Sequence, residues 1–328
     1  MRNNINIAGF SEMVHETRGD AAEAWFGYVV EARHSPGRGI TASVGPAMLG
    51  TVKSSRRYSL AVSDSAPADA TPMDLALTGV AACSLITLIA GGSAKGLVFD
   101  NAEMRIQHHL GVSCHFEVDG PDEHVLAELL DKVQNFSPNH RTLAEPVPLD
   151  LTLADRSGRV QCASITADAP TAVTSAVRQV RWISGAQFES HAVDTAGSVL
   201  RIDQPKPTGV DWGPNPQEYL LMGLASDIAA TLARDLGGLE WTVTARGGVD
   251  IRGLLQSAPA VPVGLQGLAC TVTMLSGDGF DAALSDAVTD AVSRSRVAAL
   301  IGQPQAIDVS AAFPQDSTPR PWRGRAPS

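Results

Sequence analysis

Two stretches of this 328-residue chain place a chemically capable side chain at the same point of one pattern. The first runs Pro72, Asp74, Gly79, Cys83 and the second Pro216, Glu218, Gly223, Asp227, and the two superpose without a gap. A thiol at Cys83 attacks an electrophile once it has lost its proton. A carboxylate at Asp227 serves instead as a general acid or base, or as the partner of a cation. Carboxylates in largely apolar helices are costly unless paired or partly solvated. Asp227 therefore either marks a second pocket or pairs with an arginine from the first half of the chain.

The remaining reactive residues carry weaker signals. Cys114 and Cys270 close matching segments, Gly111-Val-Ser-Cys and Gly267-Leu-Ala-Cys, inside alternating apolar runs, and read as duplicated core positions. Cys162 also reads as core, unless the fold brings it to Cys83. No cysteines stand in a CxxC or Cys/His ligand spacing, so neither a metal site nor a cofactor is expected. Arg105, His108 and His109 share one predicted strand, where alternate residues face opposite ways, so at most one of the two histidines faces a pocket. Ser137, His140 and Arg141 follow an amphipathic helix and either line a pocket or cap that helix.

The elements that must hold these residues recur in order. Strand-like runs around Trp25–Ala32, Ile40–Leu49 and Arg57–Val62 lead through a loop to Pro72, a proline suited to the first turn of a helix. That helix reaches about Gly96. Strands over 97–110 and 111–118, an amphipathic helix over 119–136 and two further apolar runs follow. The second part repeats this with strands around Val180–Phe188 and Ser198–Ile202, a helix over Pro216–Leu236, strands over 241–252 and 267–275, and an amphipathic helix over 278–295. The expected organisation is α+β: two similar halves, 1–168 and 169–313, forming an intramolecular pseudo-dimer, and a Pro/Arg-rich tail, 314–328.

Composition limits the possible roles. A formal charge of -10 and 5% aromatic residues argue against a nucleic-acid partner. Leu75–Ala94 carries no charge, but its Gly, Ser, Thr and Ala content is only moderately apolar, and its counterpart holds Asp227, Arg234 and Asp235. The pair reads as buried helices of a cytoplasmic protein with no membrane partner.

Together, Ala70-Thr-Pro72, Asp74, Gly79, Ala81-Ala-Cys83 and the segment NFSPNHRTL at 135–143 resemble the OsmC/Ohr family of organic hydroperoxide reductases. Family members are about half this length and form intertwined homodimers with sites at the interface, so the resemblance implies a fusion supplying both subunits, monomeric in solution. It also implies that Cys83 reduces a peroxide: the thiolate attacks the distal oxygen, an alcohol leaves and a sulfenic acid remains. A nearby arginine held by a carboxylate lowers the thiol pKa in the family. Asp74 is the carboxylate candidate here. Arg33, Arg56 and Arg57 precede the first helix and Arg181 and Arg201 the second, with Arg57 and, across an interface, Arg201 put forward, and Glu218 and His140 as further pocket residues.

The departures from the family pattern are specific. Ser137 stands where the resolving cysteine is expected, and Asp227 and Ser293 take the two cysteine positions in the second half. Met73 and Gln217 stand directly after the motif prolines, where peroxide-reducing members often carry Glu. The leading expectation is a one-cysteine peroxidase acting on organic hydroperoxides and restored by an external thiol. The alternative is an OsmC-like protein without that activity, which binds or transforms another small apolar molecule. A non-catalytic binding protein that retains the pocket is a third reading.

Overall fold

The structure is a computed structural model. It describes the chain except residues 64–68, 156–159, 166–174, 194–196, 207, 259, 277–279, 313–319 and 322–328. The expected junction of the halves near 168, and all of the tail but Arg320–Pro321, lie outside the described residues.

The chain opens with helices α1 (Ile7–Thr17) and α2 (Ala21–Ala24), then strands β1 (Trp25–Ser35), β2 (Gly39–Val44), β3 (Met48–Leu49), β4 (Val52–Lys53) and β5 (Ser59–Val62). Next come α3 (Pro72–Ala94), β6 (Asn101–His108), β7 (Val112–Asp119), α4 (Glu123–Phe136), α5 (Pro138–Ala144), β8 (Leu149–Ala154) and β9 (Val160–Ile165). Beyond them lie β10 (Ala176–Ser184), β11 (Gln187–Ala192), β12 (Leu200–Ile202), α6 (Pro216–Asp235), β13 (Trp241–Asp250), α7 (Ile251–Leu254) and β14 (Gln266–Met274). The last are α8 (Ala282–Ser293), α9 (Arg296–Gly302), β15 (Ile307–Ala312) and β16 (Arg320–Pro321). This is an α+β architecture. The run around Val180–Phe188, expected as one strand, is the turn of the β10–β11 hairpin, with Gly185 at φ 57°.

Both sheets take strands from each side of residue 168. One runs β4-β3-β1-β13-β14-β8-β9, with β2 paired to β1 and β5 to β2. The other runs β12-β11-β10-β6-β7-β15-β16. The pairings mirror each other: β1 lies antiparallel to β13 as β10 does to β6, and β14 lies parallel to β8 as β15 does to β7. The register follows the alternation of side chains. In β1, Tyr28, Val30 and Ala32 point into the core, while Val29, Glu31 and Arg33 point out.

Between the sheets α3 packs on α6, and the motif glycines explain how closely. A side-chain carbon at Gly79 would lie 2.5 Å from the Pro216 carbonyl, and one at Gly223 2.8 Å from the Pro72 carbonyl. Each helix thus crosses the first turn of the other, and only glycine fits at either crossing. Leu75, Leu77, Leu85, Leu88 and Ile89 of α3 are fully buried, each contributing about 1.5–3 kcal/mol of hydrophobic stabilisation. By length and composition α3 could cross a membrane, with a mean hydropathy of 1.9 over its most apolar window, yet 83% of that window is buried inside the protein.

Candidate functional site at Cys83

The helix starts set the depth of the site. Thr71 caps α3: its hydroxyl accepts the Asp74 N–H at 3.1 Å, and the Asp74 carboxylate accepts the Thr71 N–H at 2.9 Å. Asn215 and Glu218 form the same reciprocal box on α6. Proline occupies the first turn of both helices, where no N–H is needed. The proline, acid and glycine of the repeated pattern are therefore accounted for by capping and crossing. Only the fourth position, three turns into each helix, is left without such an account.

Cys83 is 1% exposed. Its Sγ receives the Asn139 N–H at 3.5 Å and the Gln217 side-chain amide at 3.4 Å. Asn139 lies in the first turn of α5, whose leading N–H groups have no partner within the helix. Its side-chain amide also donates to the carbonyls of Gly79 and Pro216 at 2.8 and 2.9 Å, tying α5 to the helix crossing. Burial pushes the Cys83 thiol up to about 11, against the opposing pull of the Asn139 N–H, the Ser137 hydroxyl and the Gln217 amide. The Ser137 hydroxyl is fully buried beside the thiol, and its Oγ meets no aligned hydrogen-bond partner. Among the described residues, no arginine is hydrogen-bonded to the sulfur.

On its open side Cys83 meets a cavity of about 430 Å³ with mostly apolar walls. Ile7, Phe10, Met13 and Val14 of α1 cover it, at the spacing of one helix face. Ile86, Thr87, Ala90 and Ala94 of α3, Phe26 and Tyr28 of β1, and Gln217 of α6 complete much of the wall. Sequence reading anticipated neither α1 nor α5. The signal for α5 was present, since Ser137-Pro138 is a cap followed by a first-turn proline. The face of α1 was also readable, from apolar residues at three- and four-residue spacing.

The other predicted residues take separate places. Arg57 is exposed and borders a surface groove with Val29 and Tyr58. Arg201 is exposed, its guanidinium 4.9 Å above the Trp212 ring. Neither forms a hydrogen bond or ion pair with Cys83, and Asp74 serves its own helix start. A neighbouring arginine, Arg56, forms a buried ion pair with Glu218 at 2.8 Å. Burial pushes the Glu218 carboxyl up to about 7, while Arg56 and the Asn215 N–H draw it down. His140 is buried in α5, where desolvation, aided by Arg141, lowers it to about 4. Cys162 lies exposed on the outer strand of its sheet, and Cys114 and Cys270 are buried in strands. All four cysteines are free.

Asp227 is partnered within its own half rather than by an arginine of the first. Its carboxylate accepts the Ser295 hydroxyl at 2.8 Å and the Val297 N–H at 3.0 Å, and it meets the Arg296 guanidinium at 3.3 Å. Ser295 caps α9 as Ser137 stands at the start of α5, so Ser295 and not Ser293 is the counterpart of Ser137. Asp227 does not line the cavity. The described residues hold no cluster of His, Cys, Asp and Glu suited to a metal ion.

The helix that carries Cys83 lies within the stretch that comparison with known families matches. Residues 64–152 match the family described as OsmC-like protein, so that stretch of the chain is similar to it. The matched stretch carries Asp74, Cys83, Ser137 and His140. No curated protein matches the chain.

Proposed function

We propose that this chain takes an apolar small molecule into the cavity beside α3, where the ligand meets the Cys83 thiol. The observation carrying this reading is the cavity itself: about 430 Å³, apolar, with the thiol in its wall. That size and lining are typical of small-molecule sites. We read the chain as a fused pair of OsmC-like halves, joined near residue 168 and monomeric in the cytoplasm, with only the Cys83 site open to ligand.

Reduction of an organic hydroperoxide by Cys83 is the second reading, favoured by the two N–H donors aimed at the sulfur. They stabilise a thiolate as it forms and a sulfenate after oxygen transfer. The neutral resting thiol and the serine at 137 weigh against the family's two-cysteine cycle, so this cycle would be restored by an external thiol.

The test has two arms. The wild type and Cys83→Ser are compared for cumene hydroperoxide consumption with dithiothreitol or dihydrolipoamide, and for binding of the neutral probe 1-decanol by calorimetry. Binding by both proteins without turnover supports the ligand reading alone. Thiol-dependent turnover lost in the variant establishes the peroxidase. Absence of both binding and turnover overturns both readings.

A further inference from the structure

The cavity is asymmetric along its length. The α3 residues in its wall, Cys83, Thr87, Gly91 and Lys95 among them, recur every four positions and so form one stripe of the helix. From Cys83 to Lys95 that stripe runs about 18 Å at 1.5 Å per residue. Exposure rises along it: Cys83 is buried, Thr87 and Gly91 are half-buried, and Lys95 is exposed. The thiol therefore sits at the deep end and Lys95 at the mouth.

Helix α4 runs back along the same wall. Its Glu128 pairs with Lys95 at the mouth, and its end leads into α5, whose Asn139 touches Cys83. Lys132, one turn inward from Glu128, also faces the cavity and is half-buried. It forms no salt bridge among the described residues. Lys95 and Lys132 are the ionised side chains of this wall, and both are cations on a chain whose net charge is -10. With Glu128 matched to Lys95, Lys132 supplies a surplus positive charge. The negative end of the α3 dipole lies nearby, but the Gly91, Gly92 and Ser93 carbonyls already accept the N–H groups of Lys95, Leu97 and Gly96.

We propose that the ligand is an amphipathic anion: its acidic group pairs with Lys132 near the mouth, and its apolar chain lies along α3 toward Cys83. Lys132 is then the residue that selects charge, and the small side chains of Ala90, Gly91 and Ala94 keep the channel open. The proposal rests on the reading of the cavity as a site for apolar ligands.

The experiment compares decanoate, 1-decanol and decyltrimethylammonium below their aggregation concentrations by titration calorimetry, for wild type and Lys132→Met. Wild type is expected to bind decanoate about five- to tenfold more tightly than 1-decanol, and the ammonium ion least well. Lys132→Met is expected to lose that preference while holding its affinity for 1-decanol within about twofold. An unchanged thermal transition shows that the variant is folded. Equal or tighter binding of 1-decanol by wild type, or a preference that survives Lys132→Met, overturns the charge selection and leaves the cavity reading standing. Failure of all three probes to bind overturns the cavity reading and this inference with it.

Discussion

The surroundings of Cys83 and of Asp227 are one frame used in two ways. In each, a long helix meets the first turn of a short one, and an N–H from that turn points at the deciding side chain. At Asp227 the frame is filled, because the carboxylate uses the N–H, a serine hydroxyl and an arginine together. At Cys83 it is left open: the Ser137 hydroxyl and the Asn139 side-chain oxygen have no hydrogen-bond partner, and the sulfur faces the cavity. The carboxylate thus replaces a reactive group by a closed ionic link. The duplicated pattern preserves architecture at both places and leaves a thiol facing a cavity at one.

The largest expected difference between the two places is kinetic. With its thiol pushed up to about 11, Cys83 should be alkylated by iodoacetamide about tenfold faster per pH unit from 7 to 10, since only the thiolate reacts. Peptide mass spectrometry at Cys83 reads this directly, and a plateau near pH 8 would show that bound charge activates the thiol.

Next in size is Glu218→Ala, which removes the nearer carboxylate of Arg56, leaving Asp211 at 3.5 Å, and also removes the α6 capping partner of Asn215. It should cost about 3–5 kcal/mol in urea denaturation at pH 8. A loss below about 1 kcal/mol would mean that Asp211 alone holds Arg56.

His140 sharpens the contrast because its counterpart near Asp227 is Ala298. The folded state holds His140 at about 4, against about 6.5 when unfolded. The unfolded chain thus binds the proton first, and stability falls as pH drops from 6.5 to 4, by up to about 3 kcal/mol. His140→Ala should flatten that slope in a series of melting curves across pH.

The smallest change expected is that of Asp227→Cys, which makes the two places alike. Losing the charged acceptor should cost about 2 kcal/mol. The new thiol should stay unreactive toward iodoacetamide, because position 227 is buried and does not line the Cys83 cavity. Rapid alkylation at 227 would show that the cavity is not what opens Cys83.

Much of this was legible in the sequence because it is periodic or local. Pro72 and Pro216, the acids two positions on and the duplicated glycines marked two equivalent helices, and alternation marked most strands. Three things depend on distant contact and were not legible. The partner of Glu218 is Arg56, from the other half, rather than a residue of its own helix. Gln217 reaches Cys83 across the helix crossing, 134 positions along the chain. Arg57 and Arg201 stood at plausible spacings before their helices, but Arg57, in the segment before β5, and Arg201, on β12, are both exposed. The register of Ser295 was missed for a local reason, since α9 was not recognised and its cap could not be aligned with that of α5.

The interlaced sheets also set a schedule for the newborn chain. Trp25 pairs with Asp250 and His34 with Trp241, so β1 waits for more than two hundred further residues, roughly 10 to 45 seconds at cellular synthesis rates. Throughout that interval the nascent N-terminal portion carries open strand edges and the apolar α3, both prone to association with other chains. Premature termination before β14 would leave no complete sheet to fall back on. Continuous synthesis instead delivers the missing strands at high local concentration, on the same molecule that needs them.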